Sequence, residues 1–248
     1  MAFERWTIEN AALLHFTSSM EERCAWTYGL RKNSVVIPRS IHVEEIPPSQ
    51  ENSFRDKYPE LGRGEILLFL GRLHPIKRLD ILAEAFRLIA AKRSGVRLVI
   101  AGPDDGAGMS LRSFFRQANI ADRVLFTGQL SSTEKWAALR DSSIFLLPSE
   151  HENFGVSALE AMAVGVPVLI SDQVGLAPSV ADAHAGWVLE RNPNQWADAV
   201  EQLLDHSSMR QKMGEAGRRL VSAEFSTDRI ASRMHALYED VVRETRHG

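Results

Sequence analysis

A single cysteine, Cys24, stands among 248 residues, so no disulfide can form within the chain, which suits a reducing compartment. No motif frames it as a nucleophile, and it reads as a small buried hydrophobe. Long apolar runs are missing too: none approaches the roughly 20 residues that a helix needs to cross a bilayer. The start, Met-Ala-Phe-Glu-Arg-Trp, carries no secretory leader pattern. The expected location is therefore the cytoplasm, free or peripheral at the inner face of a membrane. Charge excess is small: 29 basic against 32 acidic residues leave a net −3, which gives no reason to expect nucleic acid as a partner. The eight histidines lack metal-ligand spacing, and neither His-Glu-x-x-His nor Cys-x-x-Cys occurs, so no metal and no cofactor are expected.

What is present is enough apolar material for a sizeable core, 44% of the chain, arranged in a repeating rhythm. Runs of branched and aromatic residues at Ile66–Leu70, Arg97–Ala101, Val124–Phe126, Ile144–Leu147, Val168–Ile170 and Gly186–Leu189 predict strands. Helical spacing fills most of the intervals, and helices are predicted near Asn194–Asp205, Met209–Ala223 and Thr227–Arg243. Such alternation predicts an α/β fold with a parallel sheet covered by helices on both faces. Before it, Leu13–Ser18 and Val35–Pro38 read as short strands around a helix from Ser19 to about Leu30, which Ser18 or Ser19 would cap. Arg39 to Gly64 is polar and holds Pro47, Pro48 and Pro59, the composition of a linker.

The most informative stretch runs from Pro148 to Pro167. Glu152 and Glu160 stand with seven residues between them, bracketing Asn153-Phe154-Gly155 and a strongly helical run. Strand, loop, helix and strand in this order place the loop outside the carboxyl end of a parallel strand, where ligands of such sheets bind. Phe154 and Gly155 are predicted to open the helix, whose free N–H groups and positive dipole end suit a phosphate. The two carboxylates suit the vicinal hydroxyls of a sugar or a ribose, since each accepts hydrogen bonds in pairs. By spacing alone, two ordinary surface glutamates on an amphipathic helix would be much the better explanation; the surrounding match from Pro148 to Pro167 reverses that.

A second element follows the first strand of the large sheet. Gly71-Arg72, with Lys77 five positions after Arg72, puts two cations at that strand's carboxyl end. A guanidinium fork and a compact ammonium can together offset the charge of a diphosphate. His74 and Arg78 read as ordinary loop residues. A nicotinamide dehydrogenase is disfavoured, because Gly71-Arg72-Leu73 is too bulky and basic for the Gly-x-Gly-x-x-Gly turn.

Together, the glutamate block and the Gly-Arg/Lys pair resemble the donor motifs of family-four (group 1) retaining glycosyltransferases, which have the GT-B fold. The likeness extends from about Ala11 to Val242, through Val124-Leu125-Phe126-Thr127-Gly128 and the terminal helix after Phe225-Ser226. It implies a remnant of an N-terminal domain at 1–40, a linker at 41–64, a Rossmann-like nucleotide-sugar domain at 65–223 and a crossover helix at 224–248. It further implies a UDP- or GDP-sugar donor and hexosyl transfer with retention. Arg72, Lys77 and Glu152 would be catalytic; Gly71, Asn153, Phe154, Gly155, Glu160, Thr127 and Gly128 would bind the donor. The acceptor stays unassigned.

Departures from the pattern sharpen the expectation. Nearly all of the family's acceptor domain is missing, Val-Ile-Pro continues as Arg39-Ser40-Ile41-His42, and the loop Ser171–Leu176 lacks the usual Gly-Gly and following Glu. The resemblance thus implies a truncated or split form, or a degenerate relative, weakly active or inactive alone and prone to self-association or to pairing with a complementary domain. A nucleotide-sugar-binding module that needs a partner chain, and a GT-B nucleotide-sugar epimerase, are the alternatives.

Overall fold

A computed structural model describes residues 2–30, 32–48 and 53–247. It opens with α1 (Ala2–Asn10), β1 (Leu14–Phe16), α2 (Ser19–Thr27) and β2 (Ser34–Val36). β1 and β2 pair in parallel as a two-stranded sheet, Leu14 beside Ser34 and Phe16 beside Val36. Ser18 caps α2 by accepting the Glu21 N–H at 3.1 Å, and the Glu21 carboxylate accepts the Thr17 N–H at 2.7 Å. So little sheet cannot cover a helix: no residue of α2 is fully buried, and Cys24 is half-buried rather than the core residue its type suggests.

The described parts of the polar stretch 41–64, residues 41–48 and 53–64, pack on the main core. They hold α3 (Ser53–Lys57) and short 3-10 turns at Val43–Glu45 and Pro59–Leu61, and they anchor Ile41, Phe54 and Leu61 in the main core. Asp141 accepts the Phe54 and Arg55 N–H groups at 3.2 and 3.1 Å. Ile41, Phe54 and Leu61 are too widely spaced in a polar run to show a helix or strand period, which is why composition alone reads as linker.

The remaining elements alternate: β3 (Ile66–Leu70), α4 (Leu79–Lys92), β4 (Arg97–Ala101), α5 (Gly108–Gln117), β5 (Val124–Gly128), α6 (Ser132–Asp141), β6 (Ile144–Leu147), α7 (Val156–Ala163), β7 (Val168–Ser171), α8 (Ala177–Asp182) and β8 (Gly186–Leu189). Then α9 (Pro193–Asp205), α10 (Ser207–Glu224) and α11 (Thr227–His247) close the chain. The six strands are parallel, in the order β5-β4-β3-β6-β7-β8. β6 and β7 are buried throughout and β3 and β4 nearly so, as strands covered on both faces must be, while β5 and β8 form the edges. α4 packs beside α5 and α9, and α7 beside α6 and α10, in two helical layers. Phe86, Phe115 and Phe126 meet edge to face between α4, α5 and β5. The strand order reverses between β3 and β6, so the loops after these two strands diverge and leave a crevice at the carboxyl edge. No helix among the described residues is long and apolar enough to cross a membrane.

Candidate functional site

The crevice at the strand-order reversal is an open cleft of about 460 Å³. Gly71, Arg72 and Lys77 reach it from the loop after β3, Glu152 from the loop after β6, and Val156, Ser157 and Glu160 from α7. Backbone hydrogen bonds fix the first loop: Gly71 N–H donates to the Ala101 carbonyl and Leu73 N–H to Pro103, both at 2.9 Å. A 3-10 turn, Pro75–Lys77, then aims Lys77, and the imidazole Nδ1 of His74 accepts the Ile76 N–H at 3.1 Å to cap that turn. His74 therefore serves the shape of the loop.

Lys77 and Glu152 form a direct ion pair, with side chains only 15% and 22% exposed. Arg72 lies at the rim, 65% exposed, and donates to Asp105 at 2.7 Å. Deeper along α7, Glu160 is bound by Lys135 at 2.5 Å. Each carboxylate of the cleft thus carries its own ammonium, and an anionic ligand entering here meets near-neutral walls, with Arg72 at the rim shared with Asp105. No group of three or more residues suited to hold a metal ion occurs among the described residues.

The loop bearing Glu152 is built like an added strand. Glu152 N–H donates to the Gln173 carbonyl at 3.0 Å, Gly175 N–H to the Glu152 carbonyl at 2.9 Å, and Leu176 N–H to Phe154 at 3.0 Å. The Ser171–Leu176 loop, which departs from the family pattern, is thereby a backbone splint for Glu152 and does not line the cleft. Gly175 allows this closeness: a Cβ there would lie 2.0 Å from the Asn153 carbonyl oxygen. Gly155 precedes α7 with φ +101°, a left-handed geometry that turns the chain sharply into the helix. The Ala158 and Leu159 N–H groups donate to the Gly155 carbonyl, leaving the first amides of α7, at Val156 and Ser157, without partners inside the helix.

Of the sequence-predicted residues, Gly71, Arg72, Lys77, Glu152 and Glu160 share the cleft. Asn153, Phe154, Gly155, Thr127 and Gly128 do not line it. Phe154 is buried and meets Phe225 edge to face, with ring centroids 5.8 Å apart, so its side chain fastens the loop to the end of α10. Asn153 faces α2 and donates to Glu21 at 3.0 Å. In the loop after β5, Gln129 and Leu130 reach the cleft in place of Thr127 and Gly128, because the chain turns at Gly128, φ +68°.

Several contributors escaped the sequence reading, among them Gln129, Leu130, Lys135, Val156 and Ser157. A signal existed for Lys135. Ser131-Ser132-Thr133-Glu134 is a capping-box pattern, and both of its hydrogen bonds form. It starts α6 at the carboxyl edge of the sheet and so puts Lys135 in the first turn, beside the cleft. Glu134 is held low, to about 2, first by the hydrogen bond from Lys57 and then by those of Ser131. Behind the cleft, Arg78 sits in a left-handed conformation, φ 50°, and donates to Asp80 at 2.9 Å. Burial pushes the Asp80 carboxyl up, but the hydrogen bonds and charge of Arg78 outweigh it and keep it below its ordinary value. Glu150 lies between Arg78, at 3.8 Å, and Arg191, at 3.3 Å, tying the loops after β3, β6 and β8 together.

Known proteins resemble this chain in sequence and in fold. A D-inositol 3-phosphate glycosyltransferase of Corynebacterium glutamicum is 30% identical over 230 residues, 87% of this chain and 54% of that protein. One from Mycobacterium leprae is 34% identical over 185 residues, 72% of this chain and 42% of its own. The chain thus spans about half the length of the curated relatives it matches. Among solved structures, a sucrose-phosphate synthase of Thermosynechococcus elongatus superposes with a TM-score of 0.85 at 26% identity, covering 98% of this chain and 61% of that one. Anabaena HepE in complex with UDP and glucose gives 0.87 at 16%, covering 94% and 65%, a likeness of fold. Both share the GT-B glycosyltransferase architecture, whose Rossmann-like sheet is the one seen here. The family model described as glycosyl transferases group 1 matches residues 50–220, from the docked segment before β3 through the cleft and into α10. With the strand order, the cleft and the relatives in agreement, the chain belongs to the group 1 glycosyl transferases.

Proposed function

We propose that this chain is the donor-binding half of a retaining glycosyltransferase that moves a hexosyl group from a UDP- or GDP-sugar to an acceptor hydroxyl without a metal ion. The observation that carries the reading is the convergence of Arg72, Lys77, Glu152 and Glu160 on one cleft at the strand-order reversal. In this reading Glu160 holds the ribose hydroxyls and Glu152 those of the sugar. Arg72 and Lys77 offset the charge that grows on the departing diphosphate, a stabilisation that favours the transition state over the ground state. The acceptor oxygen bonds to the anomeric carbon as the bond to phosphate breaks on the same face, and its proton passes to a phosphate oxygen. No protein nucleophile or general base is assigned. The proposed location is the cytoplasm, free or at the inner face of a membrane.

Calorimetric titration against UDP, GDP and ADP sugars tests the reading: one class should bind, and binding by none would remove it. Because the relatives are named for D-inositol 3-phosphate, a phosphorylated polyol is the first acceptor to try. A second reading, a binding module that needs a partner chain, is favoured by the two-stranded sheet and by the absence of any fully buried residue in α2. Transfer assays with and without a complementary domain separate the two.

A further inference from the structure

Lys135 belongs to none of the motifs that define the cleft, yet its ammonium lies 2.5 Å from a Glu160 oxygen inside it. We infer that Lys135 is a positioning residue for the nucleotide: it presents the Glu160 carboxylate to the ribose diol and thereby sets the preference for ribose over deoxyribose. The inference rests on the donor-site reading above and deepens it.

Its placement is built from several directions. The Lys135 N–H donates to the Ser131 carbonyl at 2.9 Å, inside a first turn already locked by the capping box. Glu134, next to it, is held by Lys57, so α6 is fixed to α3 at this point. The Lys135 ammonium lies 4.8 Å from the centre of the buried Trp136 ring, which supports the charge through its face. Its partner Glu160 is the least exposed charged side chain of the cleft, at 14%.

Chemistry explains why such a residue is needed. A carboxylate this enclosed, facing a site meant for a diphosphate, would repel the ligand and suffer for its lost hydration. An ammonium beside it removes both penalties. Lysine only donates, so it takes no hydroxyl hydrogen away from the carboxylate. An ionised carboxylate has about four acceptor positions, and one taken by Lys135 leaves enough for two ribose hydroxyls. With the ammonium gone, the carboxylate is free to rotate, and the grip on the 2′-hydroxyl weakens most.

The test uses the full chain and whichever of UDP, GDP or ADP it binds best, beside the 2′-deoxy form of the same diphosphate. The wild type should prefer the ribonucleotide by about tenfold, the scale of one charge-assisted hydrogen bond. Lys135→Met, which keeps the stem against Trp136, should shrink that preference to near unity, and Lys135→Arg should restore most of it. In a Glu160→Gln background Lys135→Met should leave the ratio unmoved. Equal loss of affinity for both nucleotides, or an unchanged ratio in Lys135→Met, would overturn the inference while leaving the donor site standing. If Lys135→Met does not fold, the ratio in Lys135→Gln decides by the same criterion. A wild-type chain that binds no nucleoside diphosphate would overturn the donor reading, and the inference with it.

Discussion

The Ser18 hydroxyl donates to the main-chain carbonyl of Asn153 at 2.5 Å, joining residues 135 positions apart in the sequence. The same oxygen accepts the Glu21 N–H, so one buried side chain both caps α2 and grips the loop that carries Glu152. Ser18→Ala should therefore cost about 1–2 kcal/mol of stability, the sum of a lost cap and an unpaired carbonyl. It should also lower donor affinity, because the loop loses one of its supports. Urea melts and donor titration of this variant check both; unchanged stability would mean that the small sheet does not support the loop.

The two glutamates are expected to fail differently. Glu160→Ala should weaken bare nucleotide binding by about 1–3 kcal/mol, the worth of charged hydrogen bonds lost from a site. Glu152→Ala should weaken the nucleotide sugar more than the nucleotide. Equal affinities in the wild type and both variants, measured by calorimetry, would end the assignment.

For the cations, exposure separates binding from stability. Arg72 is rim-exposed and pairs only across the surface, so Arg72→Ala should lower diphosphate affinity and leave the melting temperature nearly unchanged. Lys77→Ala should lower affinity and also strand the half-buried Glu152, so it should cost stability as well. EDTA should change neither affinity. Binding that requires added magnesium would show that charge compensation is assigned to the wrong groups.

Much of this was legible before the coordinates, for physical reasons. Strands buried on both faces are continuous apolar runs, so β3, β4, β6 and β7 announce themselves, and the loops after β3 and β6 carry the residue types that phosphates and diols require. The rest depends on contacts that sequence order hides. Phe154 looks like part of a ligand loop, but whether its ring faces the cleft or Phe225 is decided by α10, which lies some seventy residues later. Gly128 rather than Thr127 sets where the loop after β5 turns, and that brings Gln129 and Leu130 to the cleft. The polar stretch 41–64 hides its docking in Ile41, Phe54 and Leu61, anchors too widely spaced to make a pattern.

Acid should loosen α6 through Glu134. Its carboxyl is held at about 2, below its ordinary 4.5, by Lys57 and by the Ser131 cap. A carboxyl depressed on folding lends stability that is fully present above its unfolded value and is lost as pH falls through the folded one. The window is therefore from about 4.5 down to about 2. Glu134→Gln should flatten the acid limb of the stability-against-pH curve there. A variant curve parallel to the wild type across that range would show that the group does not contribute.

The final expectation concerns activity. In a two-domain transferase the acceptor lies between domains, and closure of the cleft excludes water. Here the cleft is open, and the chain spans about half the length of its curated relatives. On the small-sheet side Trp26 and Tyr28 are exposed, Tyr28 by 85%, and on α11 so is Tyr238. Exposed aromatic side chains near short, open strands favour association with a second surface. Assayed by themselves, these 248 residues should therefore bind donor, transfer little sugar, and either self-associate or gain activity when a complementary acceptor domain is added. Light scattering and a transfer assay on the same sample decide the matter: a stable monomer that transfers sugar efficiently by itself would sink this expectation, because a single wall would then suffice to hold the acceptor and keep water out.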